Sequence, residues 1–139
     1  QNQVSSSVVD FCTCIFVLSA ISPQKFDTCV RKIAHCMKLE SGIVFIRDYA
    51  RNDLAQNRFM TEKESYKRID DHFYARGDGT CAYYFSREQM VQLFVGEGYF
   101  ELVECDYCEK LVVNVKEQKQ MERIFVQARF RRTNKPIVL

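Results

Sequence analysis

The sequence predicts an α/β domain built on a mixed sheet with an antiparallel pair at its edge. Three observations carry that expectation. An unbroken β-branched and aromatic run, Val8 to Phe16, opens the chain. An amphipathic helix and a second short apolar run follow it, and two partly alternating runs, Tyr99 to Tyr107 and Met121 to Arg131, close it.

The first run has no alternating polar face, as expected for a central parallel strand covered on both sides. Ser22-Pro23 then supplies an N-cap and a proline for the first helical turn, and Phe26, Val30, Ile33 and Met37 recur at helical spacing. Gly42 ends that connection, and Ile43 to Ile46 is the second strand. From Arg47 to Thr80 the pattern is irregular and polar, with a short helix expected around Asp53 to Phe59. An insertion of this length inside a compact domain points to function. Phe73-Tyr74 and Tyr83-Tyr84-Phe85 flank Gly77-Asp78-Gly79, the pattern of a hairpin with a glycine-permitted turn. Ser86 caps a helix to about Val95, with Met90, Leu93 and Phe94 inward and Gly96 and Gly98 closing it. The closing strands are expected to pair antiparallel, joined by the polar segment Glu109 to Gln120. The domain is expected to span 1–132, with 133–139 a loosely ordered tail.

At 139 residues, 47% hydrophobic and 27% charged, the chain has the make-up of one ordinary globular domain. Its longest apolar run, Cys12 to Ile21, falls short of the ~20 residues that cross a bilayer, so no membrane span is expected. The opening Gln1-Asn2-Gln3 lacks the basic region of a secretory signal, and the absence of an initial Met hints at an upstream segment. Seven cysteines, an odd number placed mainly in apolar runs, suit a reducing and hence cytoplasmic setting. A net charge of +2 is too small to identify a nucleic-acid partner, so any such surface must come from local clustering.

Four constellations are candidates for chemistry. Ile15 and Phe16 leave the first strand where open α/β sheets bind ligands, and there they could flank a flat heterocycle; ordinary core packing is the competing account. Arg47-Asp48-Tyr49 follows the second strand on the same rim and suits substrate contacts, or equally a surface salt bridge and turn. Phe73, Tyr74, Arg76 and Asp78, with Tyr83-Tyr84-Phe85 nearby and Arg47, Arg51 and Arg58 for charge, combine base-stacking rings with phosphate-neutralising guanidiniums. A hairpin packing its rings on the sheet explains the same residues. Cys105-Asp106-Tyr107-Cys108 has the spacing of half a zinc site, but no companion Cys or His pair exists, so no metal is expected.

Read in order, Ile15 to Ile21, Phe45-Ile46-Arg47-Asp48-Tyr49, Arg58-Phe59, Phe73 to Thr80 and Tyr84-Phe85 resemble the methyltransferase-like family that includes the S-adenosylmethionine-dependent tRNA 3-methylcytidine methyltransferases. The resemblance runs from about Val8 to Arg132 and implies the C-terminal half of a Rossmann-like class I methyltransferase fold, from its fourth strand to its last. The family's glycine-rich loop and acidic ribose-binding residue have no counterpart here. The chain departs from the family at Cys81, usually arginine, at His72, usually asparagine, and at Glu40-Ser41, usually Pro-Gly.

By that resemblance Asp48, Tyr49 and Phe73 are the expected catalytic residues around a target cytosine, Ile15 and Phe16 cofactor contacts, and Arg47, Arg58, Tyr74, Arg76 and Asp78 RNA contacts. S-adenosylmethionine is the implied cofactor and tRNA the implied partner, with an aminoacyl-tRNA synthetase as an accessory candidate. Without the strands before Val8 the chain is expected to be inactive alone and to self-associate through an uncovered edge. The alternative is a non-catalytic truncated copy that keeps an RNA- or partner-binding surface.

Overall fold

The computed structural model describes residues 7–137. Its main sheet has the order β1-β2-β7-β6: β1 (Phe11–Ile15) runs parallel to β2 (Ile43–Tyr49), while β7 (Lys119–Arg132) is antiparallel to both β2 and β6 (Phe100–Asn114). This is the mixed sheet that the sequence predicts. The small sheet β3 (Arg68–Asp70), β4 (Phe73–Ala75), β5 (Cys81–Tyr83) belongs to the polar insertion.

Helix α1 (Phe26–Cys36) begins three residues later than the Ser22-Pro23 signal suggests, because Pro23–Lys25 first form a 3-10 turn. It buries Phe26, Val30 and Ala34, spaced one turn apart, so one stripe faces the sheet. Helix α3 (Arg87–Val95) starts where Ser86 accepts a hydrogen bond from the Gln89 amide, and its Phe94 stacks on Phe130 of β7 at 4.5 Å. Both helices join the core that holds Val44, Ile46, Val126, Ala128 and Phe130. One sheet face is therefore covered.

The other face is open at β1. Cys14 is buried, but Phe11 is 68% and Ile15 47% exposed. Within the described sheet β1 is the edge strand, in line with the uncovered edge expected of this chain, and Phe11 meets the neighbouring Phe45 ring at 6.1 Å. It is also shorter than the apolar run, Val8 to Phe16, since only Phe11 to Ile15 find partners on β2, with Val9 making an isolated bridge to Met37.

Two further differences have plain causes. Strand β2 does not stop at Ile46, because β7 continues to pair with it as far as Tyr49 opposite Phe125. The segment 109–120 is not a loop: β6 and β7 pair down to Asn114 opposite Lys119, a two-stranded ribbon running past the sheet, where both faces meet water and polar residues fit. The expected tail is anchored through residue 137. Thr133 Oγ1 donates to the Gly98 carbonyl at 2.6 Å, Lys135 bonds the Glu97 carbonyl, and Ile137 packs against the core. Residues 138 and 139 lie outside the described residues.

Candidate functional site

The site grows out of the carboxyl ends of the parallel pair, where the twist of an open sheet leaves a crevice. As β1 ends, the Phe16 amide donates to the Arg47 carbonyl at 2.8 Å, and Phe16 itself adopts φ 55°, a left-handed backbone unusual for a bulky residue. The chain then turns through Leu18–Ala20, burying Leu18 completely. That turn brings the Ser19 amide to Asp48 Oδ2 at 3.0 Å, while Asp48 Oδ1 accepts from the Tyr49 amide at 2.9 Å. Asp48 is wholly buried, and burial pushes its carboxyl pKa up, opposed by hydrogen bonds from Ser19, Tyr49 and Leu18. Its role in this geometry is to latch the β1 exit to the end of β2.

Because side chains alternate along a strand, Tyr49 projects from the face opposite Asp48. Its ring stacks on Phe16 at 5.0 Å and 26°, and Phe125 meets Phe16 edge-on at 5.3 Å. Tyr84 lies 5.8 Å from Tyr49 and 5.8 Å from Tyr74, which in turn stacks on Phe59 at 4.8 Å and 11°. Guanidiniums surround this row: Arg76 is 5.1 Å from the Tyr49 ring, Arg47 5.0 Å from Phe125, and Arg123 5.8 Å from Tyr49. Each lies within cation–π range.

Arg123 is held there. Its Nε bonds both Asp53 oxygens at 3.0 and 2.9 Å, and the buried Asp53 carboxylate also accepts from the Ile124 amide at 2.7 Å and caps α2 (Leu54–Phe59) through the Ala55 amide. Arg76 is aimed by the hairpin turn. Asp78 Oδ1 accepts from the Thr80 amide and hydroxyl at 2.9 and 2.6 Å, and Gly79 takes φ 86°, which glycine tolerates. Those two bonds hold the Asp78 carboxyl below its usual range.

The structure thus brings Phe16, Tyr49, Arg47 and Arg76 together, with Ile15 in register beside Arg47 and Tyr74 joined through Tyr84. It places the other expected residues differently. Phe73 projects opposite Tyr74 into the main core, 6.3 Å from Tyr83 and only 7% exposed, so it supports the hairpin from beneath. Asp78 is committed to its own turn, and the Arg58 guanidinium contacts Met121 Sδ at 3.9 Å rather than the aromatic row. Cys105 and Cys108 lie three apart on β6 and so point to opposite faces; burial pushes the Cys105 thiol up to about 11. Sequence reasoning missed Phe125, Arg123 and Asp53. The signal for Arg123 and Phe125 is the alternation of β7, which becomes legible only when Phe125 is known to sit opposite Tyr49; that for Asp53 is its N-cap position before Leu54.

Solved structures define the fold. A SAM-dependent methyltransferase of Methanosarcina mazei superposes with TM-score 0.63 over 96% of this chain and 66% of that one, at 12% identity. The 1,6-didemethyltoxoflavin-N1-methyltransferase of Burkholderia thailandensis, solved with S-adenosylhomocysteine, does so with TM-score 0.58 over 94% and 48%, at 15% identity. The architecture is that of part of a SAM-dependent methyltransferase. No family model matches the chain. Its sequence is 37% identical over 134 residues to the tRNA N(3)-cytidine methyltransferase METTL6 of Mus musculus, covering 96% of this chain and 45% of that protein. It is 34% identical over 128 residues to METTL2 of Danio rerio, 92% of this chain and 35% of that protein. A protein called O-methyltransferase 3, of Dictyostelium discoideum, is 35% identical over 127 residues, 91% of this chain and 28% of that protein. The chain is homologous to the C-terminal part of the tRNA N(3)-cytidine methyltransferases and spans less than half their length.

Proposed function

We propose that this chain is the substrate-facing part of a methyltransferase that moves a methyl group from S-adenosylmethionine to N3 of a cytidine in a tRNA anticodon loop, and that it is inactive alone. The observation that carries this reading is the stacked Phe16–Tyr49 pair with Phe125, ringed by arginines at the carboxyl ends of a parallel strand pair. Likeness to enzymes of that name supports the choice of base.

Neutral cytosine N3 already carries a lone pair, so the step depends on alignment and exclusion of water more than on a strong base. S-adenosylmethionine supplies the methyl group when bound. Ile15 and Phe16 present an exposed apolar surface that fits one wall of an adenine site; the residues for the remaining walls have no counterpart among these 139. Tyr49 offers ring surface to a base turned out of its stack, with the buried Phe125 packed edge-on against Phe16 beside it, and Arg47, Arg76 and Arg123 suit the flanking phosphates. Asp48, with its oxygens on the Ser19 and Tyr49 amides, sets the placement of both strand exits, and Phe73 supports the hairpin that delivers Arg76.

An aminoacyl-tRNA synthetase as accessory partner, a cytoplasmic location and self-association through the β1 edge belong to the same proposal. The exposed Phe11 and Ile15 support the last, and no helix among the described residues is long and apolar enough to cross a membrane.

Fluorescence polarisation with a labelled anticodon stem-loop tests the reading. Binding by this chain that weakens about tenfold in Tyr49→Ala is expected, the worth of one stacked base. Absence of binding would overturn it. Isothermal titration with S-adenosylmethionine should show at best millimolar affinity, and tight binding by the chain alone would contradict its holding only part of the cofactor site. A longer form containing the upstream segment that still transfers no methyl group would favour a non-catalytic, RNA-binding copy.

A further inference from the structure

A cavity lies at the far end of the aromatic row. It encloses about 310 Å³ and is lined by Gln56, Phe59, Arg68, Asp71, His72 and Tyr74 among others. Its Tyr74 and Phe59 walls belong to the same packed cluster as Tyr49, and the row Tyr49, Tyr84, Tyr74, Phe59 reaches it in ring-to-ring steps of 5.8, 5.8 and 4.8 Å.

The polar wall of the cavity has a determined sense. Gln56 is 2% exposed and its Oε1 accepts from the Asn52 amide at 2.7 Å, which turns its Nε2 toward His72 Nδ1 at 2.8 Å. An amide NH2 only donates, so Nδ1 must accept and the ring proton sits on Nε2. Burial and the nearby Arg51 cation lower the His72 pKa, which keeps the ring in that neutral form. The cavity thus presents the His72 ring N–H beside Phe59, whose ring is stacked on the nearly buried Tyr74. Its cations are already matched: Arg68 pairs with Asp71, and Lys67, beside Phe59, with Glu64. Matched cations make a poor phosphate cradle, whereas flat walls with one donor at the edge suit a neutral heterocycle.

We propose that this cavity receives the base of a nucleotide adjoining the target cytidine, lying against the Phe59–Tyr74 pair and accepting a hydrogen bond from His72 Nε2–H. The inference rests on the RNA-binding reading above. It makes His72 a specificity-determining residue, since only a base with an acceptor on its exposed edge uses the donor.

The test measures the affinity of this chain for a short fluorescein-labelled RNA single strand containing one cytidine, and for forms with an abasic residue in place of the cytidine or of either neighbour. An abasic neighbour on one side should weaken binding about tenfold. The penalty should be about fivefold smaller in His72→Gly, the worth of one net hydrogen bond. Glycine is tolerated at the left-handed φ 59° of this position, so the variant keeps the backbone while withdrawing the side-chain donor. The abasic comparison in the unaltered chain needs no variant. If both neighbours can be removed without effect while removal of the cytidine still weakens binding, this inference fails and the RNA-binding one stands. An equal neighbour penalty in His72→Gly also overturns it, and failure to bind any of these RNAs overturns both.

Discussion

The two faces of β2 are made of alternate residues and serve different ends. On one, Val44, Ile46 and Asp48 are exposed by 0, 1 and 0% and lie against the helix-covered core. On the other, Phe45, Arg47 and Tyr49 are half-buried among rings and guanidiniums. The adjacent triplet Arg47-Asp48-Tyr49 is split between them. The difference teaches that one buried acid can set the geometry of a rim that its neighbours use for contact.

Breaking the buried side should cost stability first. Asp53→Ala removes the carboxylate that anchors Arg123 and caps α2, and should destabilise the chain by about 3–5 kcal/mol in urea unfolding. A loss within the error of the measurement would show that the arginine above Tyr49 is not anchored as described. Asp48→Asn leaves one acceptor oxygen for two backbone amides and should cost about 2 kcal/mol. In the complete enzyme the same change should slow single-turnover transfer with little change in cofactor affinity; an unchanged rate would remove Asp48 from the account.

Substitution on the open face should do the reverse. Tyr49→Leu is expected to weaken RNA binding about tenfold while shifting unfolding by no more than about 1 kcal/mol. A large loss of stability with normal binding would erase the distinction between the faces. The smallest effect is the sharpest in sign. The Asp48 pKa is raised in the fold, so its contribution is fully present below its unfolded value, about 3.9, and is lost as pH rises through the folded one. The stability advantage of the unaltered chain over Asp48→Asn should therefore grow as pH falls from about 7 toward that value. A constant or shrinking gap would show that the acid is not held as described.

Much of this was readable in residues. The apolar runs and the helical spacing of Phe26 and Val30 announced the strand, helix, strand unit, and Gly77-Asp78-Gly79 announced the hairpin. Strand ends were not readable, because they depend on partners: Arg47-Asp48-Tyr49 looks like a loop until β7 is seen to pair with it. The faces of the hairpin were equally hidden. Phe73 and Tyr74 are both aromatic, and only the docking of β4 sends the first to the core and the second to the row. The left-handed Phe16 leaves no trace in composition, since a bulky aromatic does not announce positive φ as glycine does.

The most direct measurement is photocrosslinking of an anticodon-loop RNA carrying 5-iodocytidine at the target position, followed by mass spectrometry of the joined peptide. Attachment at Phe16 or Tyr49 is predicted. Attachment on the exposed far half of the β6–β7 ribbon, or none at all, would contradict the placement of the base on the open face of β2.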